Sequence, residues 1–295
     1  MDDSVMLQNA RTEAVKAGSV LRLPFRTRAW RGQAGGFTGS GIGSSLDFQD
    51  HRSYMPGDDP RHINWQAYAR TGSYTMKLFR EEVRPVVDLI VDCSDSMFFE
   101  ETKACRTAGL LHFLVESCAA AGAGISVQAL RGDACTQIDP AVIQNQTWLD
   151  TVRALPAADP TRIPAVEKTA VRGGSIRVFL SDLLFPGDPE PVLRHLSQRH
   201  GTVIFLAPFL DAEARPDWDG NVEFIDAESH TRHPHRIGPE VLRRYLESYA
   251  THFQVWKQSA VRHAAALARI SCEGDLTAVL FRDAVPAGAL ETIHA

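Results

Sequence analysis

The residues best placed to do chemistry are Asp92, Ser94 and Ser96, in the run Asp92-Cys93-Ser94-Asp95-Ser96. One carboxylate and two hydroxyls at alternate positions can present oxygen ligands together. Oxygen-only ligands suit a hard cation such as Mg²⁺. The run follows Val86, Val87, Leu89, Ile90 and Val91, a short and mostly β-branched apolar stretch that predicts a buried strand of a parallel sheet. The carboxyl ends of such strands are where open α/β sheets place their ligands. A plainer reading of the same residues is a polar strand-to-helix turn, with Ser94 or Ser96 as its cap.

Further elements must hold that turn in place. Thr102 to Ala121 predicts a helix, with Ala104, Ala108, Leu111, Leu114, Val115 and Cys118 on one face. Residues 125–130 and 134–138 predict a hairpin around Arg131-Gly132-Asp133. Short helices are expected at 146–155 and 163–171. Residues 175–180 predict a second apolar strand, ending in Ser181-Asp182, and 202–208 a third, with a helix at 189–199 between them. Strands alternating with helices mean βαβ units and a mostly parallel sheet. A hairpin at 222–227 and 231–237 should lead into a helix whose apolar stripe runs from Leu242 to Leu267. A strand near Ile270 and a last helix from about Asp275 complete the domain.

The N-terminal part reads differently. Residues 1–18 look helical and weakly amphipathic. Residues 32–45 hold six glycines and no charge, which predicts a turning loop. Gly39 to Ser44 has a faint likeness to a phosphate-cradling loop, without the preceding strand or the lysine of a P-loop. Residues 46–82 interleave aromatic and charged residues. The Pro56-Gly57-Asp58-Asp59 turn precedes a short helix that should run through Trp65 and Tyr68. Asp58 and Asp59 are expected to cap that helix and pair with Arg61 or Arg70. Trp65 is expected to be buried against the following domain. The division expected is an extension over 1–82 and an α/β domain over 83–290.

Composition excludes several classes. With 44% hydrophobic and 23% charged residues, the 295-residue chain has ordinary globular composition. No run approaches the ~18 apolar residues of a membrane span. The five cysteines are scattered, without a C-x-x-C, which points to a reducing, cytoplasmic compartment and away from a zinc site. Arg22, Arg26, Arg28 and Arg31 give the N-terminal part a basic excess, read as a solvated segment rather than a nucleic-acid surface. His230, His233 and His235 beside Glu228 are the densest histidine cluster and read as polar hairpin residues. Cys93 abuts Asp92, whose charge works against a thiolate nucleophile.

Asp92-x-Ser94-x-Ser96, with an aspartate ending a later strand, resembles the von Willebrand factor type A domain and its metal-ion-dependent adhesion site. The resemblance implies a doubly wound α/β fold and a cation site of Asp92, Ser94, Ser96, Thr161 and Asp182. Thr161 departs from the family in lacking preceding glycines, and Thr169 is the fallback. The implied ion is Mg²⁺, Mn²⁺ or Ca²⁺. The hydroxyls of Ser94 and Ser96 would hold it, and Asp92 and Asp182 would accept hydrogen bonds from its waters. An open position would remain for an Asp or Glu of a protein partner. The segment Tyr54-x-Pro56-Gly57-Asp58-Asp59-x-Arg61-x-Ile63-x-Trp65, with Ala69-Arg70 and Asp226-Ala227-Glu228, resembles the domain of unknown function 58 family. Members are typically bacterial and often encoded beside a MoxR-type AAA+ ATPase. That implies a non-catalytic accessory role toward such an ATPase. The enzyme alternative is a metal-dependent phosphoester hydrolase with an aspartate nucleophile. Its chemistry needs a general acid two residues later, where this chain has Ser94.

Overall fold

The computed structural model describes residues 3–25, 37–42, 48–56, 58–156, 164–228 and 230–293. The chain forms two compact units. The larger comprises Met1–Pro24 and Val86–Ala295, and the smaller Phe25–Pro85. The boundary therefore differs from the expected split at 82/83. The first helix belongs with the α/β domain, because its apolar face needs a partner that the smaller unit does not supply.

Helix α1 (Asp3–Gly18) buries Met6, Leu7, Ala10, Ala14 and Ala17. Strand β1 (Leu21–Arg22) follows. In the smaller unit, β2 (Phe37–Ile42), β3 (Phe48–Ser53) and β4 (Thr75–Val83) form an antiparallel sheet in the order β2-β4-β3. The glycine stretch expected as a loop is thus partly a strand, with Gly39 and Gly41 inside β2. A 3₁₀ turn at Pro60–His62 is capped by Asp59, whose carboxylate accepts from the Arg61 N–H and pairs with the Arg61 guanidinium at 2.6 Å. Asp58 pairs with Arg52 at 2.6 Å, not with Arg61 or Arg70. Helix α2 (Trp65–Thr71) is capped by Asn64 and closed by Gly72 at φ 69°, a conformation that favours glycine.

Trp65 is not buried: it is 58% exposed. Its ring lies edge-on to Tyr68 and Tyr74, which stack on each other with centroids 4.5 Å apart. The charged residues around it pair over very short sequence distances, so the motif satisfies itself locally. Trp65→Ala should therefore cost no more than about 1 kcal/mol, the scale of an exposed aromatic pair. A urea melt checks this. A loss above 3 kcal/mol would mean that the ring is buried in solution.

In the larger unit, β5 (Val86–Asp92), β6 (Gly124–Arg131), β7 (Ala134–Ile138), β8 (Ile176–Leu180), β9 (Thr202–Phe209) and β12 (Ala266–Ser271) form one sheet in the order β12-β9-β8-β5-β6-β7. All neighbours are parallel except β6 and β7. Helix α3 (Glu101–Ala120) connects β5 to β6. The short helices α4 (Pro140–Gln144), α5 (Trp148–Arg153), α6 (Glu190–Leu196) and α7 (Asp211–Ala214) lie in the later connections. Only a 3₁₀ turn, Val166–Lys168, stands where a helix was expected at 163–171. Strands β10 (Gly220–Ile225) and β11 (Arg232–Ile237) make a separate hairpin that leads into α8 (Pro239–Arg262). Helix α9 (Leu276–Val279) and strand β13 (Glu291–Thr292) close the chain, with β13 paired to β1.

The sheet is covered on both faces. Ile90, Phe179 and Phe205 pack with Leu193, Phe253 and Trp256 of α6 and α8. The alternate residues Leu89, Val91 and Val178, all fully buried, turn to the other face. There α3 packs on the strands and α1 packs on α3. Helix α8 is shorter than its apolar stripe suggested. Ala264 turns into the left-handed region at φ 51°, and Leu267 belongs to β12, paired with Phe205.

Candidate functional site

Strand β5 carries two buried aspartates with opposite fates. Asp88, near its start, is fully buried and held by Arg172 at 2.6 Å and by the Ser175 hydroxyl at 2.7 Å. A buried charge so paired is a structural element. Asp92, at the carboxyl end, is 1% exposed and has no cationic partner among the described residues. Its carboxylate accepts from the Ser181 hydroxyl at 2.7 Å and from the Ser94 N–H at 3.0 Å. Burial, and then the charge of Asp182, push its pKa up to about 6. A carboxylate held in this way lacks a positive charge.

The chain order explains the position. From β5 the path goes to β6 on one side and later returns to β8 on the other. The carboxyl ends of β5 and β8 therefore diverge at a topological switch point, where a cleft opens. Asp92, Ser94, Ser96 and Asp182 all line one cleft of about 290 Å³, together with Lys103, Glu213 and Glu228. Ser94 Oγ and Ser96 Oγ lie 3.1 Å apart. Adjacent ligands of an octahedral ion with bonds of ~2.0–2.1 Å would stand about 2.9 Å apart, so this spacing fits Mg²⁺.

The remaining expected ligands fare differently. Asp182 is 4% exposed, and its carboxylate is already in contact with the Lys103 ammonium at 2.7 Å. Thr161 lies outside the described residues. Thr169 is buried, with its hydroxyl donating to the Val166 carbonyl oxygen at 2.7 Å and lying 3.3 Å from His195 Nε2. Among the described residues no three His, Cys, Asp or Glu side chains converge as a metal centre. That includes the hairpin histidines: His233 meets Thr231 at 2.9 Å and His235 lies against Phe224. Of the basic segment, Arg26, Arg28 and Arg31 are outside the described residues, and Arg22 pairs with Glu291 at 2.8 Å.

Four participants, Lys103, Glu213, Glu228 and Arg131, were not read from the sequence as part of the site. Lys103, 1% exposed, bridges Asp182 and Glu213, the latter at 2.8 Å. Burial pulls its pKa down, but the two carboxylates outweigh this and the net shift is upward. Glu228 reaches over from the β10–β11 connection. Its two oxygens accept the backbone N–H groups of Ser96 at 2.9 Å and Asp95 at 3.2 Å. Arg131 pairs with Asp95, which opens the 3₁₀ turn Asp95–Met97. A signal for Lys103 existed. It shares the i, i+4, i+7 row with Thr107 and Leu110, both buried, on a helix that is buried on most sides. Cys93 is buried, and burial together with the Asp92 charge holds its thiol well above the usual range, so it is not a nucleophile.

The fold and the cleft together define a doubly wound α/β domain with a polar loop cluster at its switch point. The chain matches the family described as "Protein of unknown function DUF58" over residues 50–255, and it belongs to that family. No curated protein matches it. Among solved structures, an aerotolerance-related membrane protein from Bacteroides fragilis NCTC 9343 is 13% identical, with a TM-score of 0.31. That match covers 60% of this chain and 99% of the other. The conserved hypothetical protein BatB from Bacteroides thetaiotaomicron is 10% identical, also at 0.31, covering 61% and 98%. Among the described residues no helix is long and apolar enough to cross a membrane.

Proposed function

We propose that this protein is a non-catalytic, divalent-cation-dependent protein-binding module of von Willebrand A type, acting in the cytoplasm as an accessory to a MoxR-type AAA+ ATPase. The observation that carries the reading is the 3.1 Å approach of the Ser94 and Ser96 hydroxyls beside a buried carboxylate, Asp92, with no cationic partner among the described residues. Ser94 and Ser96 would hold the ion, with Asp92 beside them, and the resemblance adds Thr161 to the set. A bound Mg²⁺ supplies an electrophilic position that a partner's Asp or Glu can fill. The protein's own residues keep it electrophilic. Hydroxyls add no charge, and Lys103 already neutralises much of Asp182. Catalysis by an aspartate nucleophile lacks support, because Asp92 is buried and Ser94, two residues on, has no acid to offer.

Calorimetry should give a Mg²⁺ or Mn²⁺ affinity in the ~10⁻⁴ to 10⁻³ M range of open sites with few charges. The Ser94→Ala/Ser96→Ala double variant should lose it. In a pull-down from the native cell, the wild type should retain a MoxR-type ATPase in Mg²⁺ and release it in EDTA. Equal retention in EDTA, or equal metal binding by the double variant, would sink the reading.

A further inference from the structure

We propose that the Lys103 ammonium is the resident cation of this cleft, competing with a divalent ion for Asp182. The inference builds on the cation site read above and concerns its regulation. Asp182 stands two residues past the end of β8, in the position where the resemblance to von Willebrand A domains implies a cation ligand. In this chain its Oδ2 is 2.7 Å from Lys103 Nζ, while its Oδ1 accepts the Leu184 N–H at 3.0 Å. Both oxygens are therefore engaged by the protein itself.

Lys103 is not a surface lysine that happens to lean in. Its side chain is buried, and its ammonium is held from a second side by Glu213 at 2.8 Å. The other Glu213 oxygen is fixed by the Leu210 N–H at 3.0 Å. A buried ammonium between two anchored carboxylates has no low-cost place to withdraw to. A divalent ion entering beside Ser94 and Ser96 thus meets a fixed positive charge where it needs a free carboxylate. Asp182 contributes little as a ligand to metal affinity in the wild type, and the hydroxyls with Asp92 carry most of what affinity there is.

The test uses Mn²⁺ alone as probe, followed by calorimetry and by the loss of the free-ion electron paramagnetic resonance signal. Lys103→Met keeps the unbranched stem and removes the charge. It should bind Mn²⁺ at least about tenfold more tightly than the wild type, the scale of one nearby like charge removed. Asp182→Asn removes a negative charge and leaves Lys103 less compensated, so it should weaken binding severalfold in the wild-type background and by a larger factor in the Lys103→Met background, where the carboxylate is free to face the ion. The Lys103→Met/Asp182→Asn double variant should lose the gain. An unchanged or weaker affinity in Lys103→Met overturns the proposal. So does a loss from Asp182→Asn that is as large with Lys103 as without it, and Lys103→Gln takes the place of Lys103→Met if that variant does not fold. Binding by Lys103→Met but not by the wild type would uphold this inference while sinking the metal-dependent function. Binding by the wild type that Ser94→Ala/Ser96→Ala abolishes, with no gain in Lys103→Met, would do the reverse.

Discussion

In EDTA, Asp92→Asn should gain about 3 kcal/mol of stability over the wild type between pH 4 and pH 7. Asp92 has its pKa raised to about 6 in the folded protein, by burial first and by Asp182 second, from an ordinary 3.8. Between these two values the folded state holds a proton that the unfolded state has lost. Wild-type stability therefore falls as pH rises through this window, and the whole loss is present above about pH 6. Asn does not titrate and keeps an acceptor for the Ser94 N–H, so the variant escapes the loss. Roughly two pKa units at 1.36 kcal/mol each set the size. Denaturant melts of both proteins at several pH values measure it. A constant gap from pH 4 to pH 7 would mean that Asp92 ionises normally. Mg²⁺ should narrow the gap. At ten times a millimolar dissociation constant the ion returns about 1.4 kcal/mol to the wild type alone.

Trp256→Ala should cost about 3–5 kcal/mol, the range for a large buried aromatic. The ring is 1% exposed and meets Phe205 at 5.5 Å and Phe185 at 5.6 Å between centroids. It joins α8 to the sheet. Buried residues in α8 are confined to its second half, at Phe253, Trp256, Ser259 and Ala260. The first half lies open, with Val241 47% exposed. That half follows directly from the hairpin whose connection carries Glu228 to the cleft. Loss of Trp256 should therefore also raise amide exchange at Asp95 and Ser96, whose N–H groups Glu228 accepts. A stability change under 1 kcal/mol would show that α8 is anchored elsewhere.

The sheet was legible because a strand buried on both faces writes itself as a mostly apolar run, and β5, β8 and β9 do so, interrupted only by the buried Asp88 in β5 and Arg177 in β8. Their ends were legible too, since a carboxylate after such a run marks where the strand reaches water or a ligand. The long helix was over-read for a related reason. Leu267 continues an apolar stripe equally well in a helix or in a strand, and periodicity does not separate the two. Backbone conformation at Ala264 makes the break, and alanine carries no sign of it. Trp65 was misplaced because a large aromatic among charges reads as a core residue, when its partners are neighbouring tyrosines. The Lys103 bridge joins positions 79 and 110 residues apart in the chain, and no local pattern encodes a meeting at that distance.

The pairing of β1 with β13 sets a timetable. Leu21 and Arg22 leave the ribosome about 270 residues before their partners Thr292 and Glu291. At about 5–20 residues per second the interval is roughly 15–50 s. Throughout it Leu21 and Leu23, fully buried in the finished protein, wait without their final cover. Helix α1 can settle sooner, because its partner α3 emerges well before β13. The larger unit therefore assembles from its middle, and its first strand is among the last parts to find its place.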